Sequence, residues 1–141
     1  MLDGYEAMGI TAMGTSRDGT VGLTLDVTDP DSISELGRYY SERPLDLLVC
    51  NAAVFLDRGR SLEELRSEDW SRTMAVNVTG VAETVRVLLP ALRRGSGSKI
   101  AIISSQMASQ ERARGGSYVY RASKAAVLNF GRNLAQDLRG E

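Results

Sequence analysis

Short apolar runs alternate with amphipathic stretches from residue 10 to the end of the chain, the pattern of βα units that build a parallel sheet. Residues 10–16 predict a short strand ended by Arg17-Asp18-Gly19, and residues 21–27 a second strand ending at Asp26-Val27-Thr28-Asp29. Asp29 is placed to cap a helix near 30–42 with Pro30 at its first position, where no N–H is needed. Ile33, Leu36 and Tyr40 give that helix an apolar face. Leu45 to Cys50 is a nearly continuous apolar run, and residues 45–51 predict a strand covered on both sides. A helix near 67–93 follows, with Ser67 as its expected cap and Glu68 and Asp69 suiting the positive helix start. Trp70, Met74, Val81 and Val85 are its apolar positions. Residues 98–104 predict a fourth strand, behind the flexible Gly95-Ser96-Gly97-Ser98. A last helix near 117–139 carries Val127, Phe130, Leu134 and Leu138 on one stripe and stops at Gly140.

Composition narrows the functions open to this α/β chain. At 141 residues it is at most one domain, and 43% hydrophobic with 25% charged residues is ordinary globular composition. A net charge of −1 gives no basic field, so neither nucleic acid nor an anionic membrane is an expected partner. No uninterrupted apolar run approaches the ~18 residues of a membrane span. The start, Met1-Leu-Asp-Gly-Tyr-Glu6, is acidic and lacks the basic head and apolar core of a signal peptide, which makes the cytoplasm the expected location. Cys50 is the single cysteine and histidine is absent, so no internal disulfide and no Cys/His metal site is expected.

The segment Ser117-Tyr-Val-Tyr-Arg-Ala-Ser-Lys124 carries the candidate chemistry. Tyr120 and Lys124, four residues apart, share one face of a helix. A positive charge beside a tyrosine favours the phenolate. Proton transfer near neutral pH needs a tyrosine pKa lowered by roughly 3 units, about 4 kcal/mol. The chain has two lysines against fifteen arginines, so a lysine at this spacing stands out. The alternative is a solvated helix face.

The blocks Leu25-Asp-Val-Thr-Asp29, Leu45 to Ala53 (Leu-Asp-Leu-Leu-Val-Cys-Asn-Ala-Ala), Met74-Ala-Val-Asn-Val-Thr-Gly80, Lys99 to Ser105 and Tyr120 to Lys124 occur in one order and spacing. In these blocks the chain resembles the short-chain dehydrogenase/reductase family of classical type. Gly115-Gly116 is similar to its carbonyl-reductase-like members. The resemblance implies a Rossmann-like doubly wound parallel sheet and an enzyme using NADP or NAD to reduce carbonyls or oxidise alcohols. It implies Asn77, Ser105, Tyr120 and Lys124 as the catalytic tetrad. Tyr120 would be the acid/base, Lys124 would lower its pKa and hold the nicotinamide ribose, and Ser105, with Ser104 as its rival, would hydrogen-bond the substrate oxygen. Asn77 would open its helix locally and hold a water of the proton relay. Cofactor contacts would come from Arg17, Asp26, Val27, Asn51, Ala52, Ala53, Tyr120 and Lys124. The Asn51-Ala52-Ala53 run departs from the family's Asn-Asn-Ala-Gly, with Cys50 for the first Asn and an added methyl at Ala53. Arg17 favours the 2′-phosphate of NADP, while Asp18 beside it weakens the preference. The helices near 67–93 and 117–139 would form the contacts of a homo-oligomer.

The family's Thr-Gly-x-x-x-Gly-x-Gly turn, whose amides receive the cofactor pyrophosphate, has no counterpart: Gly4 and Gly9, like Gly9 and Gly14, are five apart rather than four. The expectation is an incomplete fold, truncated at both ends and lacking its first strand, its glycine-rich turn and its last strands. In the strand order 3-2-1-4-5 the missing strand is the middle one, so either its neighbours pair directly, or the N-terminal segment fills the vacancy, or folding is poor. A remnant that acts only through helix-mediated association is the alternative to a working oxidoreductase.

Overall fold

The computed structural model describes Gly4, Tyr5 and residues 7–141. Four strands follow the predicted positions but are shorter: β1 (Thr15–Ser16), β2 (Leu23–Thr24), β3 (Leu47–Cys50) and β4 (Lys99–Ile102). All pairing is parallel, in two separate ladders. One joins β1 to β2 with Thr15 opposite Leu23; the other joins β3 to β4 with Leu47 opposite Lys99. Among the described residues no strand lies between the ladders, and β1 does not pair with β3. Of the three outcomes expected for a sheet without its middle strand, direct pairing of the neighbours is therefore not the one adopted. Two-residue ladders are marginal by themselves.

Helix α1 (Pro30–Tyr39) begins as expected: the Asp29 side chain accepts from Asp31 N at 3.2 Å, and Pro30 opens the first turn. Helix α2 (Ser67–Met74) continues through a π-helical turn (Ala75–Thr79) into α3 (Gly80–Arg94). Ser67 is not the cap. Arg66 holds that position, with its N–H donated to the Asp69 carboxylate at 3.0 Å, because the chain enters the helix one residue earlier. Trp70 is exposed rather than part of the apolar stripe, which runs through Val81, Val85, Leu88 and Leu92. Helix α4 (Tyr118–Asp137) closes the fold.

Helix α3 packs on β3 and on α1, while α4 packs on β4 and on the π turn. Leu25, Ile33, Leu36, Leu48, Cys50 and Val127 join the α3 stripe in one core. At Gly80 a Cβ would come 2.8 Å from the Val27 side chain, so only glycine lets α3 start against the end of the β2 segment. The helical stretch Ser67–Arg94, at 28 residues, is long and apolar enough to cross a membrane by length and composition alone. The sequence shows no uninterrupted apolar run of that length because this helix mixes apolar and polar faces. Here the apolar face is the core-facing stripe.

Candidate active site

The end of β4 and the first turns of α4 are joined by three side-chain bonds. Lys124, 3% exposed, donates from Nζ to the Ile103 carbonyl at 2.8 Å. Ser104 Oγ donates to the Lys124 carbonyl at 3.0 Å, and Arg121 reaches the Met107 carbonyl at 3.3 Å. Burial pulls the pKa of the Lys124 ammonium down from its usual value. Its Nζ lies 5.8 Å from the centroid of the Tyr120 ring. Ser105 Oγ accepts from Met107 N at 3.1 Å as the cap of a short 3-10 turn (Gln106–Ala108), and among the described residues its hydroxyl donates to none. The two serines therefore differ: the Ser104 proton is bonded to α4 backbone, whereas Ser105 can still donate. Tyr118 is exposed, and Tyr120 stacks on Phe55 with centroids 4.1 Å apart and planes 12° from parallel.

Asn77 is 1% exposed at the centre of the π turn, the local helix opening expected there. Its amide bonds both ways with the Val54 backbone, accepting from N at 2.8 Å and donating to O at 2.9 Å. Nδ2 also donates to Ser123 Oγ at 3.0 Å, and that hydroxyl donates to the Tyr120 carbonyl at 2.8 Å. Asn77 thus ties the loop after β3 to the helix of Tyr120.

Asn51, Ala52 and Ala53 form an exposed segment leaving β3. Asp26 and Arg17 lie far along the chain from Tyr120 and line a shallow depression with Ser16, Asp18 and Thr20. Hydrogen bonds from Thr28, side chain first and then backbone, hold the Asp26 carboxyl below its ordinary range. Thr20 and then Ser16 hold exposed Asp18 down to about 2. Val27 is packed against Gly80. The residues expected at the cofactor thus fall into two groups, one at the ends of β1 and β2 and one around β3, β4 and α4.

Whether these residues fit a dinucleotide is answered differently for its parts. The open depression and the exposed backbone after β3 suit its two ends. Its pyrophosphate needs a helix start with free amides, and each described start already faces a carboxylate: Asp29 at α1, Asp69 at α2 and Asp57 at α4.

Asp57 is the site residue that sequence reasoning missed. It is fully buried, and its carboxylate accepts from Val119 N at 2.7 Å and Tyr120 N at 3.3 Å. Locally Asp57-Arg58-Gly59 reads as a turn, and nothing in its spacing points 62 residues ahead. Phe55 was missed for the same reason.

A family model described as short chain dehydrogenase matches residues 6–141. A short-chain type dehydrogenase/reductase of Picea abies is 35% identical over 130 residues, covering 89% of this chain and 47% of that protein. The solved short-chain dehydrogenase of Streptomyces avermitilis superposes with a TM-score of 0.85 at 27% identity, over 97% of this chain and 55% of that one. A blue fluorescent protein from a metagenomic library, solved in complex with NADPH, gives 0.73 at 30% identity, over 97% and 51% of the two chains. The chain spans about half the length of the curated relatives it matches.

Proposed function

Because the chain belongs to the short-chain dehydrogenase family, we propose that it is the proton-transfer core of an oxidoreductase that interconverts a carbonyl and an alcohol with NADP or NAD. When bound, the cofactor supplies or accepts the hydride. Tyr120 gives a proton to the carbonyl oxygen in reduction and takes one from the alcohol in oxidation. The Lys124 ammonium is held beside the tyrosine, 5.8 Å from its ring centroid, by its bond to the Ile103 carbonyl. The Ser105 hydroxyl, unengaged as a donor among the described residues, donates to the substrate oxygen as charge develops there. Asn77 keeps the loop and helix of the site in register. Arg17 and Asp26 would hold the adenosine end, and Asn51 to Ala53 the nicotinamide side. The observation that supports this reading is that Lys124 Nζ lies 5.8 Å from the Tyr120 ring centroid while bonding the Ile103 carbonyl just after β4, two residues before Ser105. NADPH bound by a relative that is 30% identical supports NADP as the cofactor. Assembly through α2–α3 and α4 belongs to the same proposal, with sedimentation as its check.

The described residues offer no vacant helix start, so NADPH is expected to bind this chain weakly. Each lost backbone bond to a charged oxygen is worth about 1.5–3 kcal/mol. The test is carbonyl reduction by the chain at millimolar NADPH, beside Tyr120→Phe. Slow turnover is expected, falling by about 10²–10⁴-fold in Tyr120→Phe. Turnover that survives the substitution removes Tyr120 as the acid/base. No turnover at any cofactor concentration leaves the association-only reading instead.

A further inference from the structure

Helix α4 lacks a cap of its own. Ser117, at its start, has left-handed backbone angles (φ 50, ψ 42) and makes no side-chain bond to the first turn. Gly115 and Gly116 before it are also left-handed, at φ 76 and 64, so the chain enters the helix through three such residues. The amides of the first turn would be unpaired in a buried place, because Val119 is fully buried. Asp57 supplies what Ser117 does not. One of its oxygens bonds Val119 N at 2.7 Å, and Tyr120 N lies within 3.3 Å of the other. Two residues earlier on the same loop, Phe55 lies flat against the Tyr120 ring.

We propose that Asp57 is a positioning residue for Tyr120: it caps α4 from a distant loop, and with Phe55 it fixes the backbone and ring of the tyrosine together. The inference rests on the reading of Tyr120 as the acid/base, and it names a carboxylate that never touches the reacting atoms. Three side chains tie the loop to the helix: Asp57 and Phe55 directly, and Asn77 through Val54 and Ser123. Of these, only Asp57 bonds the tyrosine's own amide. The phenol is therefore held where the backbone and the stack agree, and loss of the carboxylate frees the first turn to shift or fray. A misplacement of about 1 Å costs on the order of a hundredfold in rate.

The test compares Asp57→Ala and Asp57→Asn in the whole chain by two readouts. The first is independent of catalysis: amide exchange at Val119 and Tyr120, and the proton–proton contacts between the Phe55 and Tyr120 rings by NMR. In Asp57→Ala exchange should quicken by about tenfold or more and the ring contacts weaken, with β3–β4 contacts unchanged. Asp57→Asn keeps one accepting oxygen and should preserve the Val119 protection while losing part of that at Tyr120. The second readout is carbonyl reduction at saturating NADPH. Asp57→Ala should lower kcat about ten- to hundredfold with KM within about twofold, and Asp57→Asn should recover most of it. Ring contacts and slow exchange that persist in Asp57→Ala overturn the proposal. So does a kcat loss that accompanies melting of the β3–β4 ladder, since that marks a general structural role. If Asp57→Ala does not fold, the unequal effect of Asp57→Asn on the two amides decides. Wild-type turnover indifferent to Tyr120→Phe defeats the catalytic reading alone, and the NMR readout still judges Asp57.

Discussion

The segment of β1 and β2 and the segment of β3, β4 and α4 start from similar apolar patterns and end very differently. In the first, Met8, Ile10, Met13 and Val21 are all more than 40% exposed, and each strand is two residues long. In the second, Leu48, Cys50, Val119 and Val127 are buried, and the strands are four residues long. Packing accounts for the contrast, since α3 and α4 cover the second ladder. An apolar run becomes a strand when neighbouring strands take its amides and helices take its side chains. The same difference divides the function. The residues proposed for proton transfer sit in the packed half, tied by hydrogen bonds between loop and helix, while Arg17 and Asp26, proposed for the cofactor, sit at the open end.

Hydrogen exchange offers the largest expected effect and the sharpest way to break the comparison. The ladder amides of β3 and β4 should exchange at least about 10³-fold more slowly than Leu23 and Leu25, whose bonds to Gly14 and Ser16 close the first ladder. That ratio corresponds to about 4 kcal/mol between local and larger-scale opening. Equal protection would show that both ladders open in one cooperative unit, and the division would fall.

The same contrast decides what the sequence disclosed. The Asp29–Pro30 start of α1 was legible because capping is local, and so was the Tyr120–Lys124 face because a helix places residues four apart together. The helix opening at Asn77 could be anticipated only through the family resemblance. Strand lengths for residues 10–16 and 21–27 were overestimated because periodicity reports apolarity and not whether a neighbour exists. Asp57 stayed hidden because its partners are 62 and 63 residues away, and a carboxylate next to Arg58-Gly59 looks like an exposed turn. Contacts of that range leave no local signature.

Alkaline pH should separate the halves through Cys50. Burial in the second ladder pushes its thiol from a usual value near 9 up to about 11. The folded state then binds more protons than the unfolded state between those values. The contribution is complete below about pH 9 and is lost as pH rises through about 11. Two units correspond to roughly 2–3 kcal/mol. Denaturant melts of wild type and Cys50→Ala should diverge in slope against pH over that window, with wild type losing more. Burial raises the Tyr40 pKa as well and lowers that of Lys124, so they act in opposite directions, but both are common to the two proteins. Parallel pH profiles would mean that the thiol is hydrated and that the core around β3 is looser than the packing implies.

The smallest effect is expected at the open end. Arg17 is exposed, and among the described residues no carboxylate lies within ion-pair distance of it. Asp18 is its sequence neighbour, but that carboxylate is engaged with Thr20, through N at 3.1 Å and Oγ1 at 2.7 Å. Those bonds stabilise the Asp18 charge without cancelling the guanidinium, so both signs face the depression that also holds Asp26. An exposed charge pair is worth roughly 0–1 kcal/mol, because water and salt screen it. Arg17→Ala should therefore reduce the preference for NADPH over NADH by only about two- to fivefold, while Asp18→Asn should raise it by a similar factor. Both shifts should shrink as salt is added. Paired titrations with the two cofactors at low and high salt measure this directly. A change of a hundredfold or more would mean that the end of β1 closes around the ligand, and that the open half becomes as ordered as the packed one when it binds.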